Sequence, residues 1–414
     1  MTTTTIATSD IVWRKDLYPR LNPNPQAIQD YASNLEVLPP IEVNQSNILI
    51  DGYHRWKAHE TAGAERVPCI VTHTTSEAEL LMLAVDRNAK HGQQLTAADK
   101  KRYAIQWWQN LPDDQICKTL SISPRTFRDW TRNKREQYEE QQRATIYEMW
   151  LRCETRQQIA DATGIALSSV DAAIANFAKN HENGADADSV IFRNFEPKIY
   201  NVWNFQKATN EVRHFGNIPP EIIDNLLYYY TQPYDVIFDP FGGGGSTIDK
   251  CKERKRRYYV TDLNPIPARA DIRQHDITNG LPDGLPVPDL VFLDPPYWKQ
   301  AESQYSSDPT DLGNVELETF LTTIGDIAKS VKRKWNGNRN GKLALIIGPY
   351  KHESIYTDLA LLCYERISKY LRLVQRISVP YSTQVHGGAF VQMAKDKKEI
   401  LYLTRDLMIF ERGE

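Results

Sequence analysis

Residues 291–298 read VFLDPPYW, an apolar run that stops on an acid, two prolines and two aromatics. Such a run reads as a buried strand, and its abrupt end sets Asp294, Pro295, Pro296 and Tyr297 at the strand's carboxyl end, with Trp298 next. A second cluster precedes it. In YDVIFDPFGGGGSTIDK the strand over 234–239 ends in Asp239; Pro240, Phe241 and Gly242–Gly245 follow, then Ser246 and Thr247 at the start of a helix. Four consecutive glycines cost conformational entropy, and close approach of the backbone to a ligand is a reason to bear it.

The ligand of that turn can be narrowed by its chemistry. A Walker A loop needs a Lys before Ser or Thr, and the turn has none; Thr247 stands where a G-x-G-x-x-G pattern counted from Gly242 needs glycine. An acid just before the turn would repel a pyrophosphate and attract an ammonium group. The next strand, YYVTD, ends in Asp262, where a carboxylate can accept from ribose hydroxyls. Asp276 in RQHDI ends the following element, where a carboxylate can accept from an adenine amine. Singly, each acid serves equally well as a helix cap or a surface charge. Together, with no phosphate-neutralising Lys, they fit S-adenosyl-L-methionine better than NAD or ATP. The candidate cofactor residues are therefore Asp239, Pro240, Phe241, Gly242, Gly244, Ser246, Thr247, Asp262 and Asp276.

These residues need a scaffold of strands whose carboxyl ends lie side by side. YDVIFD, RRYYVTD, DLVFLD and KLALIIG are short β-rich runs separated by helix or loop lengths, which predicts an α/β fold over 191–414: an open, mostly parallel, Rossmann-like sheet with helices outside. Ligands on such sheets lie beyond the carboxyl ends of the strands. Further strands are expected near 343–348, 371–379 and 398–410. NHENGADADSV, 180–190, reads as a linker.

DPFGGGGST followed by DPPYW resembles the DNA amino-methyltransferases that methylate adenine N6 or cytosine N4, over roughly 195–410. The resemblance implies a Rossmann-like S-adenosylmethionine-dependent sheet acting on double-stranded DNA, with HFGNIPPEIIDNLLYYYT beside the methionine end of the cofactor. It implies catalytic roles for Asp294, Pro295, Pro296 and Tyr297. Asp294 and the Pro295 carbonyl accept from an exocyclic amine and turn its delocalised lone pair toward the methyl donor, while Tyr297 stacks on a base flipped out of the duplex and Trp298 adds to that wall. Asp at the head of the motif favours adenine N6 over cytosine N4. Ser306 and Asp308 are candidates for a loop over the base, and STQVHGGAF, 382–390, for a second contact loop.

Ahead of this lie two further blocks. In 7–95, ILID and VPCIV read as strands around a helix YHRWKAHETAG, a small α+β domain. LIDGYHRWKAHETAG resembles the N-terminal domain of ParB-like partition proteins, related in fold to sulfiredoxin, through Gly52, Arg55 and Ala58. The resemblance extends over about 35–175 and implies a nucleotide held at this turn, with Arg55 on its phosphates. In 96–180, DDQICKTLSISPRTFRDW and TRQQIADATGIALSSVDAAIANF each carry an apolar helical stripe, a break and a Ser-rich helix start; Ile159, Ala160, Gly164, Ile165 and Val170 have helix-turn-helix spacing, and Ser168 is placed to cap the second helix. Residues 90–160 hold 13 Lys or Arg against 9 Asp or Glu, a small excess that makes this block the expected chooser of DNA.

Composition sets the limits. With 50 Lys plus Arg against 53 Asp plus Glu, a net charge of −3 gives no global field for DNA, so local patches must do the work. Five scattered cysteines give neither a disulfide framework nor a zinc ribbon. Cys69 sits inside a strand, so it reads as core and not as the nucleophile that cytosine C5 methylation requires. No acidic cluster suggests a metal, and metal-dependent cleavage is not expected. No signal-peptide core or membrane-length apolar run occurs, which suggests the cytoplasm and no membrane partner. The enzyme reading leaves room for a homodimer and for a restriction or phage-encoded partner. The competing reading is a non-catalytic ParB-like partition or regulatory protein with a vestigial methyltransferase fold.

Overall fold

Short extended runs ending on turn residues build the first sheet. The computed structural model describes residues 3–17, 24–90, 95–182, 188–205, 218–301, 308–336, 341–352, 355–381 and 388–413. The chain divides into two units, Met1–Gln142 and Arg143–Glu414. In the first, β1 (Thr3–Ala7), β2 (Ile41–Val43), β3 (Leu49–Asp51) and β4 (Arg66–Val71) form a sheet in the order β1-β4-β2-β3. Its core is Ile41, Val43, Leu49, Val67 and Cys69, closed by Trp56 from a flanking helix. The helices of this unit are α1 (Pro25–Ala32), α2 (Tyr53–Thr61), α3 (Glu77–Lys90), α4 (Ala97–Trp107), α5 (Asp113–Leu120) and the start of α6 (Pro124–Leu151).

A capping box, Thr96 with Asp99, starts α4. Ser121, in the left-handed region at φ +50°, ends α5, and Ser123 Oγ accepts the Thr126 N–H at the start of α6. Tyr103, Trp107, Ile116, Leu120 and Phe127 bury the inner faces of these helices. A short turn thus joins α5 to α6, and Arg125, Arg128 and Arg132 are exposed on one face of α6, at i, i+3 and i+7.

The second unit begins within α6. Another capping box, Thr155 with Gln158, starts α7 (Arg156–Thr163); Gly164 at φ +68° ends it, and α8 (Leu167–Glu182) follows. The Val170 N–H already bonds to the Ala166 carbonyl, so Ser168 lies inside the first turn of α8 and is not its cap. The helical block expected over 96–180 thus contributes to both units. After α9 (Asp188–Ile191) and α10 (Pro220–Tyr230) come β5 (Val236–Asp239), α11 (Ser246–Glu253), β6 (Arg257–Asp262), β7 (Arg273–Gln274) and β8 (Leu290–Leu293). The chain continues through α12 (Leu317–Lys334), β9 (Lys342–Ile347), the hairpin β10 (Tyr350–His352) and β11 (Ile355–Thr357), α13 (Leu359–Ile367), β12 (Arg372–Pro380), α14 (Gly388–Lys397) and β13 (Thr404–Glu411).

Seven of these strands form one sheet in the order β12-β13-β9-β8-β5-β6-β7. From β9 to β7 all are parallel, and β13 runs antiparallel to both its neighbours. Helices cover both faces, which is why the central strands are apolar without alternation. Phe238, Val291, Leu293, Leu343 and Leu345 point to one face, with Phe320, Ile324, Val331 and Ile367. Ile237, Leu290, Phe292, Ala344 and Ile346 point to the other, with Ile222, Leu226, Ile248 and Cys251. The expected α/β fold with a large, mostly parallel sheet is what the chain adopts.

The order reverses at β5. From it the chain runs outward to β6 and β7 on one side, then returns to β8 and β9 on the other, leaving a crevice at the carboxyl ends of β5 and β8. The α7–α8 pair stands at the opposite, amino-terminal edge. There Arg257, at the head of β6, donates to the Trp150 carbonyl at 3.2 Å, and Arg273, at the head of β7, donates to the Arg152 carbonyl at 2.7 Å and to Glu154 at 2.9 Å.

Candidate active site

A cleft fills the crevice, with about 980 Å³ between its walls including the open mouth, a size usual for small-molecule sites. Asp239, Pro240, Phe241, Gly242, Gly244, Ser246, Thr247, Asp262, Asp276, Asp294 and Pro296 all line it. Residues more than 50 apart in sequence thus meet on one surface. Pro295 and Tyr297, also expected at the site, are not among the residues that line it. Ser306 and residues 382–387 of the second contact loop lie outside the described residues, as does the HFGN of the segment before α10.

The glycine turn is fixed from three directions. The Gly242 N–H donates to the Thr261 carbonyl at 2.8 Å, and a side chain at 242 would meet Val260 Cγ1 at 2.7 Å, so this glycine lets the turn press onto β6. Gly243 and Gly245 hold φ of +47° and +86°, which glycine adopts without strain. Arg269 grips the turn from the side, donating to the Gly244 and Gly245 carbonyls at 3.3 Å and pairing with Asp249 and Asp271. Arg269 was not foreseeable: it lies in a loop 24 residues beyond the glycines with no local pattern around it.

The acids also brace the turn. Asp239 is 2% exposed; its Oδ1 accepts the Phe241 N–H at 2.9 Å and its Oδ2 accepts the Thr247 hydroxyl at 2.5 Å. Asp262 accepts the Gly243 and Asn264 N–H groups, each at 2.9 Å. Asp276 lies two residues past β7, where it caps a short 3₁₀ turn through the N–H and hydroxyl of Thr278. Burial pushes Asp239 up to about 7; the Thr247 and Phe241 bonds pull the other way, and the Asp294 and Asp262 charges add to the rise.

Across the cleft, the Tyr297 hydroxyl donates to Asp294 Oδ1 at 3.2 Å. Burial lifts Asp294 to about 7 as well, against the opposing pull of Arg405 and the Tyr297 bond. Among the described residues nothing donates to the Pro295 carbonyl, whereas the Pro296 carbonyl takes the Trp298 N–H at 2.7 Å. Trp298 holds a left-handed backbone at φ +47°, a costly conformation for a large side chain. Its indole N–H donates to the Val315 carbonyl at 2.9 Å and its ring meets Tyr350 edge-on, so Trp298 tethers the segment after Asp308. That segment supplies Thr310, Asp311 and Leu312 to the wall, residues that polar loop composition alone did not single out.

The charge of the cleft tests which ligand fits. Asp239, Asp262, Asp276, Asp294 and Asp311 line it, and no Lys or Arg does among the described residues. Such a wall attracts a cation and repels a polyphosphate. S-adenosyl-L-methionine, with a sulfonium and an ammonium group and no phosphate, fits the residues present; NAD and ATP do not. Among the described residues no group of His, Cys, Asp and Glu is arranged to hold a metal ion, and no helix is long and apolar enough to cross a membrane. All five cysteines are buried and free, Cys69 inside β4.

In the first unit, Gly52 at φ +101° turns the chain from β3 into α2. Arg55 is engaged within the domain: it donates to the Pro39 and Pro40 carbonyls at 3.0 and 2.6 Å and to Asp51 at 2.8 Å.

Residues 69–268 match the profile of a family described as DNA methylase. The match contains the glycine turn and Asp262, and it ends before Asp276 and Asp294. The chain is 36% identical over 64 residues to the type II methyltransferase M.XycI of Xanthomonas campestris pv. cyanopsidis, covering 16% of this chain and 21% of that protein. It is 34% identical over 80 residues to the type II methyltransferase M.Cfr9I of Citrobacter freundii, covering 19% and 25%. The chain thus spans a fifth to a quarter of the length of these curated relatives. Among solved structures, the C-terminally truncated partitioning protein ParB of Caulobacter crescentus complexed with CTP-γ-S matches at 18% identity over 32% of this chain and 78% of that one, with a TM-score of 0.20.

Proposed function

We propose that the protein is a DNA amino-methyltransferase that transfers a methyl group to an exocyclic base amine, adenine N6 ahead of cytosine N4. The observation that carries this reading is the cleft at the sheet's switch point, where an acid-rich wall, with no Lys or Arg among the described residues, joins the glycine turn to Asp294. The DNA methylase match over 69–268 and the two methyltransferase relatives support it.

S-adenosyl-L-methionine, when bound, supplies an electrophilic methyl group on a sulfonium. Asp239 and the glycine turn hold its amino-acid end, Asp262 its ribose and Asp276 its adenine. The base enters flipped from the duplex, because its amine is out of reach inside the stack. Asp294 Oδ2 and the Pro295 carbonyl then accept its two N–H groups, drawing the nitrogen lone pair out of conjugation with the ring and aiming it into the cleft. With Oδ1 held by Tyr297, Asp294 offers the amine one defined oxygen. The proton that the nitrogen sheds on gaining a methyl passes to this carboxylate or to solvent.

For DNA contact, the exposed arginine face of α6 suits phosphate and base edges. The α7–α8 pair is the weaker candidate. Its block carries Arg143, Arg152, Arg156 and Lys179 against Glu148, Glu154, Asp161, Asp171 and Glu182, and it lies at the sheet edge away from the cleft. A nucleotide at the Gly52 turn would require Arg55 to leave its carbonyl partners. Adenine is preferred on the Asp at the head of the DPPY motif.

The test is methyl transfer from labelled cofactor to unmethylated duplex DNA of mixed sequence, followed by digestion to nucleosides. Label is expected in N6-methyladenine. Asp294→Ala should abolish transfer and retain cofactor binding; normal turnover by that variant, or no label in any DNA from a wild-type protein that binds the cofactor, would overturn the reading.

A further inference from the structure

A buried cation reaches the neighbourhood of Asp294 from β13, two strands along the sheet from β8. Arg405 lies near the start of β13, opposite Val379 of β12, and is 5% exposed. Its guanidinium rests over the Tyr381 ring at 4.7 Å. Gly348, just past β9, leaves room for Tyr381 and Tyr297 on one side of it: a side-chain carbon there would lie 2.5 Å from the Tyr381 hydroxyl and 3.3 Å from Tyr297 Cδ2. Asp406 pairs with Ile347, which sets Arg405 beside Gly348 and so beside the Tyr297 ring, and the Tyr297 hydroxyl donates to Asp294 Oδ1. Arg405 Nε–H has no partner among the described residues. A buried cation with part of its donor set unmet is expensive to keep unless it serves a nearby anion.

We propose that Arg405 is a positioning residue for the transfer step, its buried charge beside Tyr297 favouring the Asp294 carboxylate as the acceptor for the base amine. The strand carrying it is the single reversed one of the sheet, and that reversal brings the first residues of β13 beside the carboxyl end of β9. The other ionisable groups around Asp294 are Asp239 and Asp262 from β5 and β6, Tyr297 from its own segment, Tyr381 after β12, and His275, Asp276 and Asp311 from the cleft wall. Of these the acids oppose a second negative charge. Arg405 is the cation that offsets them, against the burial that lifts Asp294 to about 7.

The inference rests on Asp294 as the amine acceptor, and its test includes a measurement that needs no turnover. The Asp294 carboxyl is titrated by ¹³C NMR in cofactor-free protein, assigned by its loss in Asp294→Asn. In the wild type the midpoint should lie near 7. Arg405→Gln and Arg405→Met should raise it by about one pH unit, the low end for removal of a close opposite charge. Arg405→Lys should restore it. The acid limb of transfer should move with it, lowering turnover roughly five-fold at pH 7 and recovering at high pH, as the ionised fraction requires. An unmoved midpoint in a folded neutral variant overturns the proposal. So does a wild-type midpoint two units higher with Arg405 in place, a result that needs no variant to fold. Titration as expected in a protein that transfers no methyl group would instead count against the proposed function alone.

Discussion

Gly242→Ala separates two reasons for the glycine run. Glycine at 242 is required by packing, since an added carbon would stand 2.7 Å from Val260 Cγ1 and 3.1 Å from both Ile272 Cγ2 and the Thr261 carbonyl. Ordinary contact begins near ~3.5 Å, so the turn must lift from β6 by several tenths of an ångström. Val260 and Ile272 are buried, branched side chains that cannot swing aside. Overpacking of this kind costs about 1–3 kcal/mol, and the lift also stretches the Gly242 bond to Thr261. For a unit of this size each kcal/mol lowers Tm by ~2–4 °C, so calorimetry should show a drop of about 2–12 °C. The turn carries the cofactor wall, and misplacement approaching 1 Å costs up to ~100-fold; titration calorimetry with the cofactor should show affinity falling about 10-fold or more. Gly388→Ala, where nothing lies within 4 Å, is the control and should be near neutral. A Gly242→Ala protein with wild-type Tm and wild-type cofactor affinity would refute the packing argument.

Two further outcomes follow from charge. Asp239 and Asp294 both sit near 7 in the folded chain against an ordinary 3.8, so they are largely neutral at pH 6 and ionised at pH 8. Affinity for the cationic cofactor should rise across that interval and Asp239→Asn should flatten the rise, as read by calorimetric titration; affinity that falls with pH would contradict the assignment. The same shifts mean that these two acids make the ligand-free protein less stable as pH climbs from about 4 to about 7, because the folded state holds their protons more tightly than the unfolded one. Cofactor protection in thermal unfolding should accordingly be larger at pH 8 than at pH 6. On DNA, alanine at Arg125, Arg128 or Arg132 should weaken binding at every sequence and reduce the salt slope by about one for each phosphate no longer neutralised. Salt-dependent binding curves that superpose on the wild type would remove that face from the interface.

Much of the second unit was legible in the chain. Continuous apolar runs ending on Asp239, Asp262 and Asp294 declare buried parallel strands and their exits, because a strand covered on both faces cannot alternate. The lack of a phosphate-binding Lys near the glycines already pointed to a cationic ligand. The caps at Thr96 and Thr155 are likewise within reach of local rules, since a cap is decided within four residues. Ser168 missed the cap position by two residues, because a helix start can shift to the nearest residue whose backbone finds a partner.

What the sequence could not fix is which distant residues share a wall. Arg269 and Arg405 belong to a loop and to a reversed strand, and neither has a local signature; only the pairing of β13 with β9 and the folding of the 263–272 loop onto the glycine turn bring them to their sites. The inward use of Arg55 likewise depends on Pro39 and Pro40 arriving from another segment. Residue type and spacing specify strand ends and the chemistry available at them, because those are short-range consequences of sterics and burial. Ionisation, by contrast, is set by charges and desolvation contributed from across the fold, and for Asp239 and Asp294 it depends on the residues that the folded chain gathers around these two strand ends.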